Sequence, residues 1–439
     1  MERVEGSEVQ VAVESAQGLK RRIRVSVPAQ RIESEVESRL RSVARTANIK
    51  GYRPGKVPEK VVRQRFSEQV RQDVMQDMVR SGYSEAVTRE KLRPVGDAHI
   101  ETAADSGDKG SDLSFTASFE VFPDFQLQGI DQLSVLRPEP QFDDADVEFI
   151  IDNLRRQRRS WNAVEREARD GDRVTLDFEG RLDGEPIEGG AGDQVSVVIG
   201  AGRLVPDFER QLAGVRAGEQ KTIQVEFPVD YPNKTLAGRK GDFDLRISEV
   251  AEEVLPDVDE EFVRSFGVES GERAEFEQDI RKNMTKEFES RARAEVKKQL
   301  LELLLKHNPI DVPEALVTEA AVSLQGDAAR NLGLPDREGA PPVDTYRPAA
   351  ERRVRLSLLL GSIIMEQSMV ANREKVAERI DSLVSSYDKP DEVRKIYYQN
   401  AGLLGQVEDM VLEEQVIEWL TERATVTQKP TSFQALVSG

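Results

Sequence analysis

The sequence predicts a multidomain α+β protein, with an N-terminal α+β domain, a β half-barrel carrying one short helix, and an all-α C-terminal domain. Three changes of pattern along the 439 residues predict this order. Strand alternation mixes with helical stripes up to about residue 121, short strands separated by Gly turns fill about 171–247, and helical spacing runs from about 256 to 424. A chain of this length is too long for one hydrophobic core.

The composition excludes several kinds of site. The chain has no Cys and only two His, which argues against a disulfide framework, a cysteine nucleophile and a His-rich metal centre. We therefore predict no metal and no cofactor. The sequence contains neither a signal-like start nor an apolar run of about eighteen residues, so it favours a soluble, cytoplasmic protein without a membrane segment.

The net charge is distributed unevenly. The chain carries −19 at pH 7, which by itself argues against a nucleic-acid binder. Residues 16–94 nevertheless hold 19 Lys and Arg against 9 Asp and Glu, a local balance of +10 that leaves −29 for the rest. This asymmetry indicates a basic module that docks on an anionic surface, while an acidic body stays away from that surface.

The N-terminal domain is predicted from two sequence patterns, the alternation typical of strands and the spacing typical of helices. Alternating residues over 9–27 indicate two strands, and alternation returns at 98–102 and 113–121. Between these strands we predict three helices, which begin at Pro28, near Pro58 and near Val74.

A Gly- and Pro-rich segment separates the first two helices: Gly51-Tyr52-Arg53-Pro54-Gly55-Lys56, followed by Val57-Pro58. It cannot lie inside a helix or a central strand, because Pro lacks a backbone donor and Gly has no side chain to pack. We predict an exposed turn that displays Tyr52, Arg53 and Lys56 to a partner outside the protein. The alternative is a solvated helix–helix connection.

Short strands and Gly turns predict the half-barrel. Its strands are expected at 174–180, 195–199, 221–227 and 243–247, with a short helix that ends at Gly214.

Two segments precede the half-barrel. Residues 123–140 have the composition of a linker, in which Leu133 and Val135 could form a short strand. A short helical stripe follows, flanked by the cluster Arg155, Arg156, Arg158 and Arg159. We interpret this cluster as a solvated helix face.

One helix in the C-terminal part carries an apolar residue at every fourth position, from Phe276 to Leu304. Each step of four advances by about 400°, so the stripe rotates by about 280° over its length. One flat partner cannot cover such a stripe. The helix therefore either meets different neighbours along its length or leaves part of the stripe uncovered. A second run, 356–365, is nearly all apolar and predicts a buried helix.

Three separated motifs resemble those of one family, the bacterial trigger factors. The segment 51–58 resembles their ribosome-docking signature. Residues 171–250 resemble an FK506-binding-protein-type prolyl isomerase, chiefly through Asp177-Phe178-Glu179-Gly180, Gly200-x-Gly202-Arg203-Leu204-Val205-Pro206-x-Phe208-Glu209 and Gly218-Glu219. Asn308-Pro309-Ile310-Asp311-Val312-Pro313 is similar to the family's C-terminal domain. The resemblance spans about 9–433, in the family's order.

The resemblance implies a ribosome-associated chaperone that binds nascent unfolded polypeptides at the tunnel exit and has peptidyl-prolyl cis-trans isomerase activity. Its C-terminal helices would form a cradle with two arms, and it could form a homodimer off the ribosome. Neither DNA nor a membrane is implied as a partner. Docking against a tunnel-exit ribosomal protein and nearby rRNA would use Gly51, Tyr52, Arg53, Pro54, Gly55 and Lys56.

The resemblance also implies domain boundaries and one departure from the family. The implied domains are 1–123 for ribosome binding, 124–165 for a linker and connecting arm, 166–250 for the isomerase and 251–439 for the helical chaperone domain. The family commonly has an aromatic residue, Arg and Lys at the loop tip, and here the third position is Pro54. Docking is therefore expected to depend mainly on Arg53 and Lys56.

Position by position, the resemblance places the isomerase pocket on nine residues: Phe178, Ile187, Glu188, Val195, Leu204, Val205, Phe208, Tyr231 and Phe243. Tyr231 could donate a hydrogen bond to a substrate carbonyl, and Glu188 could stand for the family's pocket carboxylate. The apolar members could instead be only the core of the half-barrel. Ile187 and Val195 stand where trigger factors often have aromatics, which leaves open a weak or vestigial isomerase pocket. A free isomerase whose other domains only recruit substrate is a further alternative.

Overall fold

The computed structural model describes most of the chain. The described residues are 9–46, 58–103, 110–334, 339–433 and 435. The segment 51–56 lies outside them, so its exposure stays a prediction. Within the described ranges, no helix is both long enough and apolar enough to cross a bilayer. Contacts divide the chain into two compact units: Met1–Arg137 with Ala294–Thr427, and Pro138–Arg293 with Gln428–Gly439.

The described residues form eleven strands, eleven α-helices and two short 3₁₀ helices. The strands are β1 (Gln10–Gln17), β2 (Lys20–Val27), β3 (Pro94–Thr102), β4 (Leu113–Val121), β5 (Ser134–Gln141), β6 (Ser160–Ala163), β7 (Arg173–Leu182), β8 (Glu185–Val198), β9 (Gln220–Glu226), β10 (Lys240–Val254) and β11 (Thr425–Ser432). The α-helices are α1 (Ala29–Thr46), α2 (Glu59–Arg89), α3 (Asp144–Gln157), α4 (Pro206–Leu212), α5 (Glu260–Arg264), α6 (Arg273–His307), α7 (Glu314–Asn331), α8 (Arg347–Glu366), α9 (Arg373–Val384), α10 (Pro390–Gln399) and α11 (Ala401–Arg423).

The first unit begins with a four-stranded antiparallel sheet in the order β1-β2-β4-β3. Every second residue of β4 is buried, from Leu113 through Phe115 to Val121. One face of the sheet therefore carries the core, and α1 and α2 bury Ile32 and Val74 in the same cluster. Strand alternation and helical stripes thus produce the predicted α+β arrangement.

One continuous helix, α2, replaces the second and third helices predicted from the sequence, so that division is wrong. The range Glu59–Arg89 contains no Pro, and its single Gly does not break the helix. Gly82 is buried, and a Cβ there would lie 3.2 Å from Val27 Cγ2, so the residue lets the helix approach the sheet closely. The change of stripe that suggested a break is the drift of one long helix.

The apolar stripe of α6 is covered along its whole length. All eight of its residues are 6 % exposed or less. The first five, Phe276 to Ala292, lie in the second unit's core with Ile151 and Phe262. The last three, Val296 to Leu304, lie in the first unit's core, where α8 and α11 contribute apolar residues. The expectation of different neighbours is therefore confirmed, and that of an uncovered stripe is wrong.

The predicted burial of 356–365 is only partly correct. In α8, Leu359 and Ile363 are buried, but the Met365 side chain at its end is 63 % exposed. An apolar run longer than one helix face must leave some of its residues outside.

The segment predicted as a linker is structured. A 3₁₀ helix at Ile130–Gln132 leads into β5, which pairs with β11. Leu133 and Val135 are each 1 % exposed. The possible short strand is therefore present, but it begins at Ser134, so Val135 lies in β5 and Leu133 lies directly before it. Both residues belong to one hydrophobic cluster.

Two amide side chains hold this segment: Gln299 in α6 and Asn308 directly after the end of that helix. Asn308 Oδ1 accepts a hydrogen bond from the Gln128 N–H at 2.8 Å, and its Nδ2 donates to the Gln128 carbonyl at 3.1 Å. Gln299 makes the same pair of bonds with Leu136, at 2.8 and 3.0 Å. Each amide thus takes the place of a neighbouring strand.

The half-barrel of the second unit is built around the long strand β10. The sheet order is β6-β10-β7-β8, and β9 also pairs with β10. The strand residues Asp242–Arg246 pair with both β7 and β9, so these two strands lie on opposite edges of β10. β8 is longer than predicted, and β6 was not predicted. In both strands the alternation of apolar and polar residues is too short to mark the whole strand.

The arginine cluster at the C-terminal end of α3 is not a purely solvated face. Arg155 Nε donates to the Pro256 carbonyl at 2.7 Å. Arg159 pairs with Glu253 at 3.0 Å, and Arg158 Cζ lies over the Phe266 ring, 5.4 Å from its centroid. Three of the four cations therefore have partners within the second unit, which the sequence alone could not indicate.

Candidate active site

One apolar cavity of about 230 Å³ opens in the half-barrel. It is smaller than the clefts of roughly 300–1,000 Å³ that hold drug-sized ligands, so it suits one side chain. Eight of the nine sequence-predicted pocket residues line it: Phe178, Ile187, Glu188, Leu204, Val205, Phe208, Tyr231 and Phe243.

Aromatic rings form the wall of the cavity. Phe208 meets Phe178 edge to face with centroids 5.8 Å apart, and meets Phe243 in the same way at 5.4 Å. Phe227 lies 6.3 Å from Phe243 and 5.0 Å from Tyr231. Aromatic contacts of this kind hold a rigid apolar surface in place.

A glycine in β7 makes room for one of these rings. A Cβ at Gly180 would lie 2.4 Å from Phe243 Cε1. Gly180 is paired with Phe243 across β7 and β10, so any side chain there would displace the ring from the cavity wall.

The polar groups of the cavity are few. The lining includes Glu188, Tyr231 and Asn233. Within the described ranges, the Tyr231 hydroxyl has no hydrogen-bond partner in the protein, whereas the Asn233 side chain accepts from the Thr235 N–H at 3.0 Å and from its hydroxyl at 2.7 Å. The Tyr231 hydroxyl is therefore free to bind a ligand, and Asn233 is already engaged in its own loop.

A buried carboxylate fixes the loop before α4. Glu209 is 5 % exposed. Its Oε1 accepts from the N–H groups of Arg203 and Leu204 at 2.8 and 2.9 Å, and its Oε2 from that of Gly202 at 3.1 Å. This clamp sets the position of Leu204 and of the following Val205, which both line the cavity.

The same clamp controls the ionisation of Glu209. Burial by itself would raise the pKa of this carboxyl, but the hydrogen bonds from Leu204, Gly202 and Arg203 outweigh it and hold the pKa below its usual range. Glu209 was part of a motif noted in the sequence but was not assigned to the pocket, because a charged residue in a short helix carries no signal of burial.

Val195 does not line the cavity, in contrast to its predicted place in the pocket. It lies opposite Leu176, and the ladder between β7 and β8 is irregular between this pair and the pair Phe178–Gly192. Gln194, inside the irregularity, has a φ of 51°. β8 has one extra residue between these two pairs. Val195 packs against the half-barrel core and is not part of the cavity lining.

Six residues of the cavity wall were not predicted: Gly189, Gly190, Val225, Phe227, Asn233 and Leu236. Phe227 is the last residue of the strand predicted at 221–227 and could have been found as its last inward-facing residue. Leu236 and Asn233 lie in an irregular loop, where no periodicity marks the inward side.

The structure gives little information on the predicted docking residues. The docking residues 51–56 lie outside the described ranges, and only the helices on either side of them are described. Among the described residues, no group of three or more His, Asp or Glu side chains is placed to hold a metal ion.

Family models match three parts of the chain. The model for "Bacterial trigger factor protein (TF)" matches residues 9–154, and that for the trigger factor C-terminus matches 274–422. The model for "FKBP-type peptidyl-prolyl cis-trans isomerase" matches 164–252, which contains the cavity. The chain therefore carries an FKBP-type isomerase domain, and the predicted multidomain α+β fold is confirmed.

Curated relatives match over the full length. The trigger factor of Thioalkalivibrio sulfidiphilus (strain HL-EbGR7) is 40% identical over 430 residues, covering 98% of each chain. That of Tolumonas auensis (strain DSM 9187 / NBRC 110442 / TA 4) is 40% identical over 432 residues, covering 98% of this chain and 99% of that one. A solved structure described as "Promiscuous Substrate Recognition in Folding and Assembly Activities of the Trigger Factor Chaperone" aligns at 16% identity with a TM-score of 0.48, covering 94% of this chain and 99% of that chain. From the family models and these full-length relatives, we conclude that this chain belongs to the bacterial trigger factor family.

Proposed function

We propose that this protein is a ribosome-associated chaperone that receives nascent polypeptides at the tunnel exit and isomerises prolyl bonds in them. The observation that carries the isomerase part is the cavity of about 230 Å³, with its wall of aromatic rings and one unpartnered hydroxyl within the described residues. Membership of the trigger factor family supports the chaperone part.

Prolyl isomerisation requires neither a nucleophile nor a metal. Its barrier is the loss of amide resonance, about 18–20 kcal/mol. The twisted transition state has less charge separation than the planar amide, so a dry aromatic cavity stabilises it relative to the ground state. In this site Phe178, Phe208 and Phe243 would enclose the proline ring, and the Tyr231 hydroxyl would donate to a carbonyl of the flanking peptide.

Exposed apolar side chains of the helical part support the binding of unfolded chains. Since the α6 stripe is covered, the contact surface must come from elsewhere. In the first unit, Val370 is 80 % exposed, Tyr387 56 % and Ile396 53 %. Scattered apolar and aromatic side chains on such a surface offer weak contacts to many sequences.

The finer assignments follow the family resemblance. Residues 1–123 would bind the ribosome, 124–165 would form a linker and arm, 166–250 would be the isomerase, and 251–439 would hold nascent chains. Docking through 51–56 would involve a tunnel-exit ribosomal protein and nearby rRNA. The protein would act in the cytoplasm and could form a homodimer when it is off the ribosome.

Co-sedimentation with purified ribosomes tests this function. We expect the wild-type chain to pellet with ribosomes, and the triple change Tyr52→Ala, Arg53→Ala and Lys56→Ala to abolish pelleting. A matched control changes three exposed positions of the isomerase loop: Asp230→Ala, Lys234→Ala and Thr235→Ala. Pelleting of the loop variant at the wild-type level would contradict docking through 51–56.

A further inference from the structure

A network of three side chains crosses the outer face of β7, on the side of the sheet opposite to the cavity. Asp177 Oδ1 accepts hydrogen bonds from the Gln194 N–H at 2.8 Å and from Gln194 Nε2 at 3.1 Å. The same Nε2 donates to Ser248 Oγ at 3.0 Å. Asp177, Gln194 and Ser248 belong to β7, β8 and β10, so the network joins three neighbouring strands. We call these three residues the outer-face network.

Two strand irregularities meet at the outer-face network. In β8, one extra residue lies opposite Asp177, which interrupts the regular ladder with β7. In β10, the pairing with β7 is irregular at Ser248, between Ile247 and Glu249. Gln194 lies in the first irregularity, and its side chain reaches Ser248 in the second. The network therefore bonds the two irregular strands to each other across β7.

The backbone of Gln194 needs this support because it lies in the left-handed region. Its φ is 51°, which a residue with a Cβ keeps only where the surrounding structure holds it there. The hydrogen bond from its N–H to the Asp177 carboxylate supplies such a hold. Without this acceptor, we expect the β8 backbone to relax toward a conformation with negative φ.

The backbone next to Gln194 lies against a ring of the cavity wall. Gly192, two residues earlier, pairs with Phe178 across β7 and β8. A Cβ at Gly192 would lie 2.8 Å from Phe178 Cε1, so the backbone and the ring are already in close contact. Phe178 lines the cavity and meets Phe208 edge to face at 5.8 Å. A shift of β8 at Gly192 therefore moves a ring that the substrate proline would contact.

We propose that Asp177 is a positioning residue for prolyl isomerisation. By holding the irregularity at Gln194, it keeps Gly192 against the Phe178 ring and so fixes one side of the cavity wall. The inference rests on the proposed isomerase function. Asp177 is not part of the cavity lining, so its effect on activity must pass through the β8 backbone.

The activity of the full chain in a peptide cis-trans assay tests this role. Asp177→Ala removes the acceptor and should lower kcat/KM about tenfold, because an unsupported left-handed residue lets β8 move. Asp177→Asn removes the charge but keeps an acceptor oxygen, and should stay within about twofold of the wild type. The matched control is Asp244→Ala, which should keep wild-type activity. Its carboxylate, on the outer face of β10, accepts the Thr222 hydroxyl at 2.7 Å and no backbone N–H among the described residues.

Changes at position 194 show whether the effect passes through the backbone. Gln194→Gly, added to the Asp177→Ala chain, should restore kcat/KM to within about threefold of the wild type, because Gly adopts this φ without support. Gln194→Val in the otherwise wild-type chain keeps the acceptor but places a β-branched residue at a φ of 51°. It should lower kcat/KM about tenfold, and it carries the test if the Asp177→Ala chain does not fold.

The outcomes separate the inference from the proposed isomerase function. Wild-type activity of Asp177→Ala or of Gln194→Val, or a loss in Asp177→Ala that Gln194→Gly does not restore, overturns the inference and leaves the isomerase function intact. A role limited to stability also overturns it: the free energy of unfolding would fall while kcat/KM of the folded chain stayed unchanged. A wild-type chain without isomerase activity overturns both.

Discussion

The Oε1 atom of Glu209 accepts the backbone N–H of Leu204 at 2.9 Å, so a buried carboxylate holds the loop that supplies part of the cavity wall. The same atom accepts from Arg203 at 2.8 Å. Glu209 is not part of the cavity lining. It is a positioning residue for Leu204 and Val205.

Replacing Glu209 by Gln should misplace this loop. The amide keeps one acceptor but loses the charge and turns an NH₂ group toward backbone donors. We expect the second unit to lose about 2–3 kcal/mol and kcat/KM for prolyl isomerisation to fall about tenfold. The neighbouring Arg210→Gln change is the control, because Arg210 is 76 % exposed. Equal activity of the two variants would contradict the positioning role.

The stability of the second unit should depend on pH through Glu209. Its pKa is lowered in the folded protein, so its stabilising effect is present above the unfolded value of about 4.3 and is lost as pH falls through the lower folded value. Asp172 acts in the same direction: burial would raise the pKa of Asp172, but hydrogen bonds from Arg166 and Arg169 outweigh it.

Denaturation followed by Trp161 fluorescence in a Trp419→Phe chain measures this effect, because the protein has two Trp. The gap in unfolding free energy between this chain and its Glu209→Gln derivative should be constant from pH 7 to about pH 5 and shrink below about pH 4. A gap that stays constant down to pH 3 would show that the carboxylate charge contributes nothing.

Changing Tyr231 to Phe should separate activity from stability. The hydroxyl has no partner among the described residues, so its loss should change the unfolding free energy by less than about 0.5 kcal/mol. A lost hydrogen bond to substrate is worth about 0.5–1.5 kcal/mol, so kcat/KM in a peptide cis-trans assay should fall about 2- to 10-fold. Full activity of this variant would remove the hydroxyl from the mechanism.

The hydrogen bonds made by the side-chain amides of Asn308 and Gln299 should differ in their contribution to stability. Asn308 is 4 % exposed and its two hydrogen bonds with Gln128 are partly buried, so Asn308→Ala leaves these backbone groups unpaired and should cost about 2–3 kcal/mol. Gln299→Ala frees groups that water can reach, and it should cost less than about 1 kcal/mol. Trp419 fluorescence in a Trp161→Phe chain reports on this unit, and equal losses would contradict the burial argument.

The fold was predictable where a periodic pattern belongs to one element. Alternation located β4, and the stripe from Phe276 to Leu304 located α6. The pattern could not say which neighbours cover that stripe, because coverage depends on segments distant in sequence such as Ile151 and Leu420. The long α2 was divided in error for a related reason: a drifting stripe looks like two short ones.

Part of the cavity lining was predictable from motif positions, without any periodic pattern. Phe178, Phe208 and Phe243 stand at motif positions of the family, and these residues share one wall. The prediction for Val195 is wrong because a strand irregularity changes the pairing register of β7 and β8 after Leu176. The positive φ of Gln194 marks this irregularity. Leu236 was missed because an irregular loop has no inward period.

Proline-limited refolding of a model protein tests the central claim most directly. Micromolar amounts of the full chain should accelerate the slow phase, which takes about 10–100 s without a catalyst at 25 °C. Phe208→Ala should abolish this acceleration, because it removes the ring that contacts both Phe178 and Phe243. If the wild-type chain leaves the slow phase unchanged, the cavity is only part of the half-barrel core and the proposed isomerase function is wrong.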